Sequence, residues 1–139
     1  WAGAKGLMQL MPATAHAMGI PKGKEQDPEE SIKGGVKYIA QLQKLFRKVA
    51  DKDEQAKFVL AAYNAGAGHI TDAMALAKKY GKNPYLWEHH VAHYVLLKSN
   101  EEYYQDPVCK NGYFRGTETY NFVRDVIGRA EMYQAKIKR

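Results

Sequence analysis

Residues 27–50 read DPEESIKGGVKYIAQLQKLFRKVA, and this stretch decides the fold class. Asp27 can cap a helix, Pro28 suits the first helical position, and the two glutamates that follow complement the positive end of the helix dipole. Apolar residues then recur at spacings of three and four, at positions 32, 36, 39, 42, 45, 46 and 49. The pattern predicts one long helix over residues 28–49.

The same periodicity continues along the chain. It predicts helices over residues 54–63, 71–80 and 85–98 and a final helix from Thr117, with a loop over 100–116 where proline and glycine interrupt any period. The glycines of NAGAG, residues 64–68, end the second helix. The apolar positions expected to face the core are Trp87, Val91, Tyr94 and Val95 in the fourth helix and Val123, Val126, Ile127, Ala130, Tyr133 and Ile137 in the last. No segment alternates as a strand does, so we expect an all-α globule of about six helices.

Size and charge narrow the function classes. A chain of 139 residues with 45% hydrophobic residues fits one folded domain, residues 1–139, without a long apolar run for a membrane span. The net charge of +6 favours an anionic partner, which could be nucleic acid, a membrane surface or a carboxylate-bearing polymer. A nucleic-acid binder needs a basic stripe on one helix, which the sequence lacks, so no nucleic acid is expected. The single cysteine, Cys109, leaves the compartment open.

No recognisable cofactor or metal motif is present in the sequence. Phosphate-binding loops, dinucleotide fingerprints and nucleophile elbows are all missing. Of the three clustered histidines, only His89 and His93 stand one helical turn apart, and no cysteine or carboxylate set completes a ligand group. We therefore expect neither a metal nor a cofactor.

Three motifs place polar residues in apolar or glycine-rich surroundings. They are GLMQLMPATA at residues 6–15, AAYNAGAG at residues 61–68 and GYFRGTETYNFV at residues 112–123. Each polar residue has a structural alternative. Gln9 could hydrogen-bond a loop, and Tyr63 could belong to the core. Asn64 could be a C-cap, and Glu118 could interact favourably with the positive end of a helix dipole. Their joint occurrence favours a functional site.

Together the motifs resemble the lytic transglycosylases (SLT domain) of the goose-lysozyme-like superfamily. RGTE ahead of the last helix and the upstream DPV are most like the membrane-bound lytic transglycosylase F branch. The resemblance implies a lysozyme-like helical fold and peptidoglycan glycan strands as the partner. It also implies non-hydrolytic cleavage of the β-1,4 bond between N-acetylmuramic acid and N-acetylglucosamine, with 1,6-anhydromuramyl products and no cofactor.

The resemblance also assigns roles to individual residues. Gln9 would hydrogen-bond a saccharide, and Met8 and Met11 would supply adaptable apolar surface. Tyr63 would sit beside the reacting centre as a supporting catalytic residue, Asn64 would support the turn, and Glu118 would contact the muropeptide. Many relatives have arginine two residues after that glutamate, whereas this chain has Tyr120, so no arginine role carries over.

The catalytic glutamate of this family precedes the GLMQ motif, so we expect it to lie before Trp1. WAGAKG, residues 1–6, looks like the tail of the loop that follows it. These residues are thus expected to form an SLT domain that lacks its N-terminal portion and is inactive alone. Three alternatives stay open: a non-catalytic peptidoglycan-binding module that never had the acid, a domain in which Glu118 is the acid, and a goose-type lysozyme that uses water.

The branch resemblance also carries an expected location. It implies the periplasm or cell envelope, with any outer-membrane anchor in the part that precedes Trp1. A solute-binding-like domain often precedes the catalytic domain in that branch.

Overall fold

The chain folds as helices in the computed structural model, which describes the backbone of residues 28–137 and the side chains of residues 33–136. The helices are α1 (Pro28–Leu45), α2 (Lys52–Ala65), α3 (Ala67–Lys79), α4 (Ala92–Leu97), α5 (Glu101–Tyr104) and α6 (Thr117–Ile137), and an irregular helical turn, Trp87–Val91, precedes α4. Residues 28–137 contain no strand, and the all-α prediction is confirmed.

Helix α2 is the centre of the fold. Five consecutive residues, 58 to 62, are buried in it, which happens only when a helix is surrounded by others. It contacts α1, α3 and α6, and the Phe58 ring lies 5.7 Å from that of Phe46 and 5.6 Å from that of Trp87. Asp51 caps it by accepting the Glu54 N–H at 3.0 Å, so the helix begins earlier than predicted.

One residue, Gly66, joins α2 to α3. Its φ of 97° lies in the region that glycine tolerates best, and its N–H donates to the Ala62 carbonyl at 2.7 Å. The predicted break within NAGAG is therefore confirmed. The predicted start of the third helix at residue 71 is wrong, because a single left-handed residue completes the turn and α3 begins at Ala67.

The predicted continuous helix over residues 85–98 is interrupted. Glu88 has an extended ψ of 132° and His89 a positive φ of 66°, so regular helix begins only at Ala92. The predicted inner face is nevertheless confirmed, since Trp87, Val91, Tyr94 and Val95 are all buried.

The predicted loop over residues 100–116 contains the short helix α5. Asn100 caps it by accepting the Glu102 N–H at 3.1 Å, a signal that the sequence analysis missed. The final helix does begin at Thr117, as predicted.

Several predicted core positions are wrong because helices run past the core. In α6, Val123 and Val126 are buried, but Tyr133 is 62% exposed and every side chain from 131 to 136 faces solvent. In α1, Val36 and Leu45 are exposed although they share the apolar spacing. Helix α1 also ends before residue 49, and Val49 is buried from the turn that follows.

Candidate functional site

A cleft of about 610 Å³ lies between the end of α2 and the first turns of α6. That volume falls within the range of small-molecule sites. Its lining residues are Asn64, Arg115, Thr117, Glu118, Asn121, Phe122 and Asp125. The structure thus brings together two residues predicted from separate motifs, Asn64 and Glu118.

Asn64 is exposed in this cleft, and its side chain is held from the α6 side. Its Oδ1 accepts the hydroxyl of Thr119 at 2.6 Å. Asn64 lies inside α2, whose C-terminal end is closed by the Gly66 backbone instead, so the C-cap interpretation is wrong. The asparagine therefore presents an amide to the cleft.

Glu118 stands in the first turn of α6, exposed to solvent and lining the cleft. Asn121, Phe122 and Asp125 follow it along one face at spacings of three, four and seven residues. This face was not predicted from the sequence, although the helical period that starts at Glu118 contains it. The result is a polar cleft wall with carboxylates and amides at regular intervals.

Tyr63 does not line the cleft, although it neighbours Asn64 in sequence. Its ring packs 5.4 Å from the ring of Tyr38, and its hydroxyl is buried with no hydrogen-bond partner among the described residues. Burial, with a smaller effect of Tyr38, raises the pKa of Tyr63 to about 12. The hydroxyl is therefore neutral at physiological pH and keeps an unused capacity to donate.

The loop that delivers Arg115 to the cleft is fixed by Asp72, a buried carboxylate of α3. Asp72 accepts the backbone N–H of Lys110 at 3.0 Å, the backbone N–H of Asn111 at 2.9 Å and the Asn111 side-chain amide at 3.1 Å. It also pairs with Lys98 at 2.7 Å, and the Lys98 side chain is fully buried. Sequence reasoning missed this pair, which ties the loop to both α3 and the end of α4.

His69 completes the cluster around Lys98. Its Nδ1 lies 2.9 Å from Lys98 Nζ, and because a lysine ammonium only donates, Nδ1 accepts and the ring is neutral. Its ring stacks on Phe114 at 4.4 Å. Burial and the nearby charge of Lys98 lower the pKa of His69, and Asp72 only partly opposes them.

We expect the stability of the fold to fall in two stages as the pH drops. His69 resists protonation in the folded state, so unfolding becomes easier below its ordinary pKa of 6.5. Burial is the largest single effect on the pKa of Asp72 and acts to raise it, but Lys98 and the three N–H donors together lower this pKa below 3.8, so the contribution of Asp72 is lost at still lower pH. Denaturant unfolding between pH 3 and 8 measures both stages. His69→Gln keeps an acceptor for Lys98 and should remove only the first stage; a wild-type stability that is constant from pH 8 to 5 would contradict this assignment.

The residue that departs from the family pattern, Tyr120, turns away from the cleft. Its hydroxyl donates to Glu88 at 2.6 Å, and this bond, with burial, raises the pKa of Tyr120. Both residues line a second groove of about 320 Å³ on another face of α6. Tyr120 thus fastens α6 to the irregular turn before α4.

The clustered histidines have structural roles where contacts are visible. His90 Nδ1 accepts the backbone N–H of Asn83 at 3.0 Å, and the His93 ring packs edge-on against Tyr94. Among residues 33–136, whose side chains are described, no three His, Cys, Asp or Glu side chains are grouped so as to hold a metal ion. Across residues 28–137 no helix has the length and apolar character to cross a bilayer.

Three site residues predicted from the first motif, Met8, Gln9 and Met11, lie outside the described residues. Their assignment to the cleft stays a prediction.

Comparison with known proteins identifies relatives of this chain. A family model for the transglycosylase SLT domain matches residues 1–86. The membrane-bound lytic murein transglycosylase F of Cellvibrio japonicus is 41% identical over 124 residues, which cover 89% of this chain and 24% of that protein. The protein of the same name from Yersinia enterocolitica is 43% identical over 127 residues, with the same two shares. The chain therefore spans 24% of the length of these curated relatives.

Proposed function

Because this chain belongs to the transglycosylase SLT domain family, we propose that it is the glycan-binding part of a peptidoglycan lytic transglycosylase. The observation that carries the proposal is the meeting of Asn64 and Glu118 in one cleft of suitable size. In this assignment Tyr63 supports the reacting centre, and Gln9, Met8 and Met11 extend the sugar-binding surface.

The proposed reaction breaks the β-1,4 bond between N-acetylmuramic acid and N-acetylglucosamine. A glutamate preceding Trp1 protonates the glycosidic oxygen, and the bond between this oxygen and muramyl C1 breaks. The same glutamate then takes the proton of the muramyl C6 hydroxyl, and the C6 oxygen forms the new bond to C1. No water is consumed, and the product is a 1,6-anhydro sugar. An internal hydroxyl outcompetes water because its effective concentration reaches about 10⁵ M or more when it is well oriented.

In this proposal the residues of the cleft bind and orient the glycan. Glu118 offers only acceptor oxygens, which suit sugar hydroxyls and amide N–H groups, whereas Arg115 offers only donors. Peptidoglycan stems carry carboxylates, and the net charge of +6 favours such a polymer. We also propose a cell-envelope location, in the periplasm, for the longer protein, with any outer-membrane anchor and solute-binding-like domain outside these 139 residues.

Replacing Tyr63 with phenylalanine separates a functional hydroxyl from a structural one. We expect Tyr63→Phe to leave the free energy of unfolding unchanged or to raise it by about 1 kcal/mol, because it removes a buried hydroxyl that has no partner among the described residues. Glycan cleavage by the longer protein should fall by about tenfold, since in this proposal the hydroxyl donates to a group of the reacting centre and not to the cleft that Asn64 and Glu118 line. A loss of stability without a loss of cleavage would place Tyr63 in the core only.

Product analysis tests the function. A version of the protein that includes the residues preceding Trp1 is incubated with purified peptidoglycan, and the released sugars are analysed by mass spectrometry. Anhydromuramyl products, reduced by Glu118→Gln but not by Glu131→Gln on the exposed end of the same helix, are expected. Products heavier by one water would instead identify a goose-type lysozyme. Binding to peptidoglycan without any cleavage would identify a non-catalytic binding module.

A further inference from the structure

Thr119 connects the two walls of the cleft from beneath. It lies in the first turns of α6 with only 2% of its surface exposed, and its Oγ1 is 2.6 Å from Asn64 Oδ1. That distance is ordinary for an O–H···O bond and short for an N–H···O bond. The buried hydroxyl therefore donates and the amide oxygen accepts, which fixes the orientation of the Asn64 amide.

This orientation decides what Asn64 can recognise. Because the Thr119 hydroxyl occupies Oδ1, the amide group that this exposed residue can offer to a ligand is Nδ2, which carries two donors and no acceptor. Glu118 lines the same cleft and can only accept. A ligand group that offers one acceptor and one donor side by side matches this pair, and an acetamido group does so with its carbonyl oxygen and its N–H.

We propose that Thr119 is a positioning residue, which orients Asn64 so that Nδ2 donates to the carbonyl oxygen of an acetamido group on the bound glycan. The inference rests on the proposed function for its ligand class. It goes further by naming the chemical group that Asn64 recognises and the residue that orients Asn64. Thr119 itself touches no substrate.

Calorimetric titration with two neutral tetrasaccharides tests this role. One is the tetramer of N-acetylglucosamine, and the other is cellotetraose, which has a hydroxyl in place of each acetamido group. The wild-type chain should prefer the first. Thr119→Val keeps the shape of the side chain but loses the hydroxyl, so its affinity for the acetylated tetramer should drop by about tenfold while that for cellotetraose is unchanged.

Two further variants make the test specific to the hydroxyl. Thr119→Ser keeps the donor and should retain the wild-type preference. Asn64→Ala should lose the preference as fully as Thr119→Val does, and the double variant should be no weaker than Asn64→Ala alone, because both changes remove one interaction. Denaturant unfolding of each variant checks that the fold persists, and should Thr119→Val fail to fold, Thr119→Ser and Asn64→Ala decide the matter.

The outcomes distinguish the positioning role of Thr119 from the proposed glycan-binding function. A wild-type chain that prefers the acetylated tetramer, with the same preference in Thr119→Val, would overturn the positioning role and leave the proposed function intact. An equal loss in Thr119→Ser and Thr119→Val would overturn it too, since the methyl group and not the hydroxyl would then matter. A wild-type chain that binds neither tetramer would contradict the glycan site itself.

Discussion

Replacing Asp72 with alanine is expected to lower the free energy of unfolding by about 3–5 kcal/mol. The change leaves the fully buried ammonium of Lys98 without its counter-charge. It also removes the acceptor for three N–H groups of the loop, one from Lys110 and two from Asn111. Urea titration of Asp72→Ala against the wild-type chain at pH 7 measures the loss.

A second ion pair serves as the control for Asp72. Lys79 pairs with Asp106 at 2.6 Å, but its side chain is 44% exposed, so solvent screens the interaction. Lys79→Met should lower the free energy of unfolding by clearly less than Asp72→Ala does, because Asp106 keeps the Val108 N–H as a donor. If Asp72→Ala costs no more than Lys79→Met, the buried pair does not hold the loop and the assignment fails.

Replacing Gly116 with alanine is expected to lower the free energy of unfolding by roughly 2–3 kcal/mol and to weaken the proposed glycan binding at the same time. A Cβ at this position would lie 2.4 Å from the Val95 carbonyl oxygen and 2.7 Å from Val95 Cγ1. The backbone of α4 cannot retreat cheaply, so the residues just before α6 would shift, together with Arg115 and Glu118. Thermal unfolding and saccharide titration of the same sample measure the two effects.

Gly128, inside α6, offers a control for the glycine that directly precedes this helix. A Cβ there would meet nothing within 4 Å, so Gly128→Ala should stabilise the protein by up to about 1 kcal/mol through helix propensity alone. Equal effects of the two substitutions would show that the contact with Val95 does not govern Gly116.

The helices were predictable from sequence because each buries a face at regular spacing. Leu42, Val95 and Val123 follow that period in α1, α4 and α6, and all are buried. The failures at Val36 and Tyr133 have one cause, since apolar spacing shows which residues share a face but not where along the helix the neighbouring element ends.

The cleft was predictable only in part. Asn64 and Glu118 were identified because their motifs resemble a known family, and the structure then placed them together. The buried cluster of Asp72, Lys98 and His69 was missed because its members lie on α3 and at the end of α4 and have ordinary polar neighbours in the sequence. A lysine at the end of a helix normally faces solvent, and the residues next to Lys98 in the sequence do not show that it pairs with a carboxylate on another helix.

The single-residue joint at Gly66 limits how this protein can vary in length. A connection of one residue cannot take up an added residue without moving the helices. An insertion there would rotate α3 against α2 and move Asp72 away from Lys110 in the loop. The turn at Gly81 lies in a longer, surface-exposed segment that can absorb added residues. Tags, fluorescent labels and natural length changes should therefore be tolerated at that turn and excluded from the joint between α2 and α3.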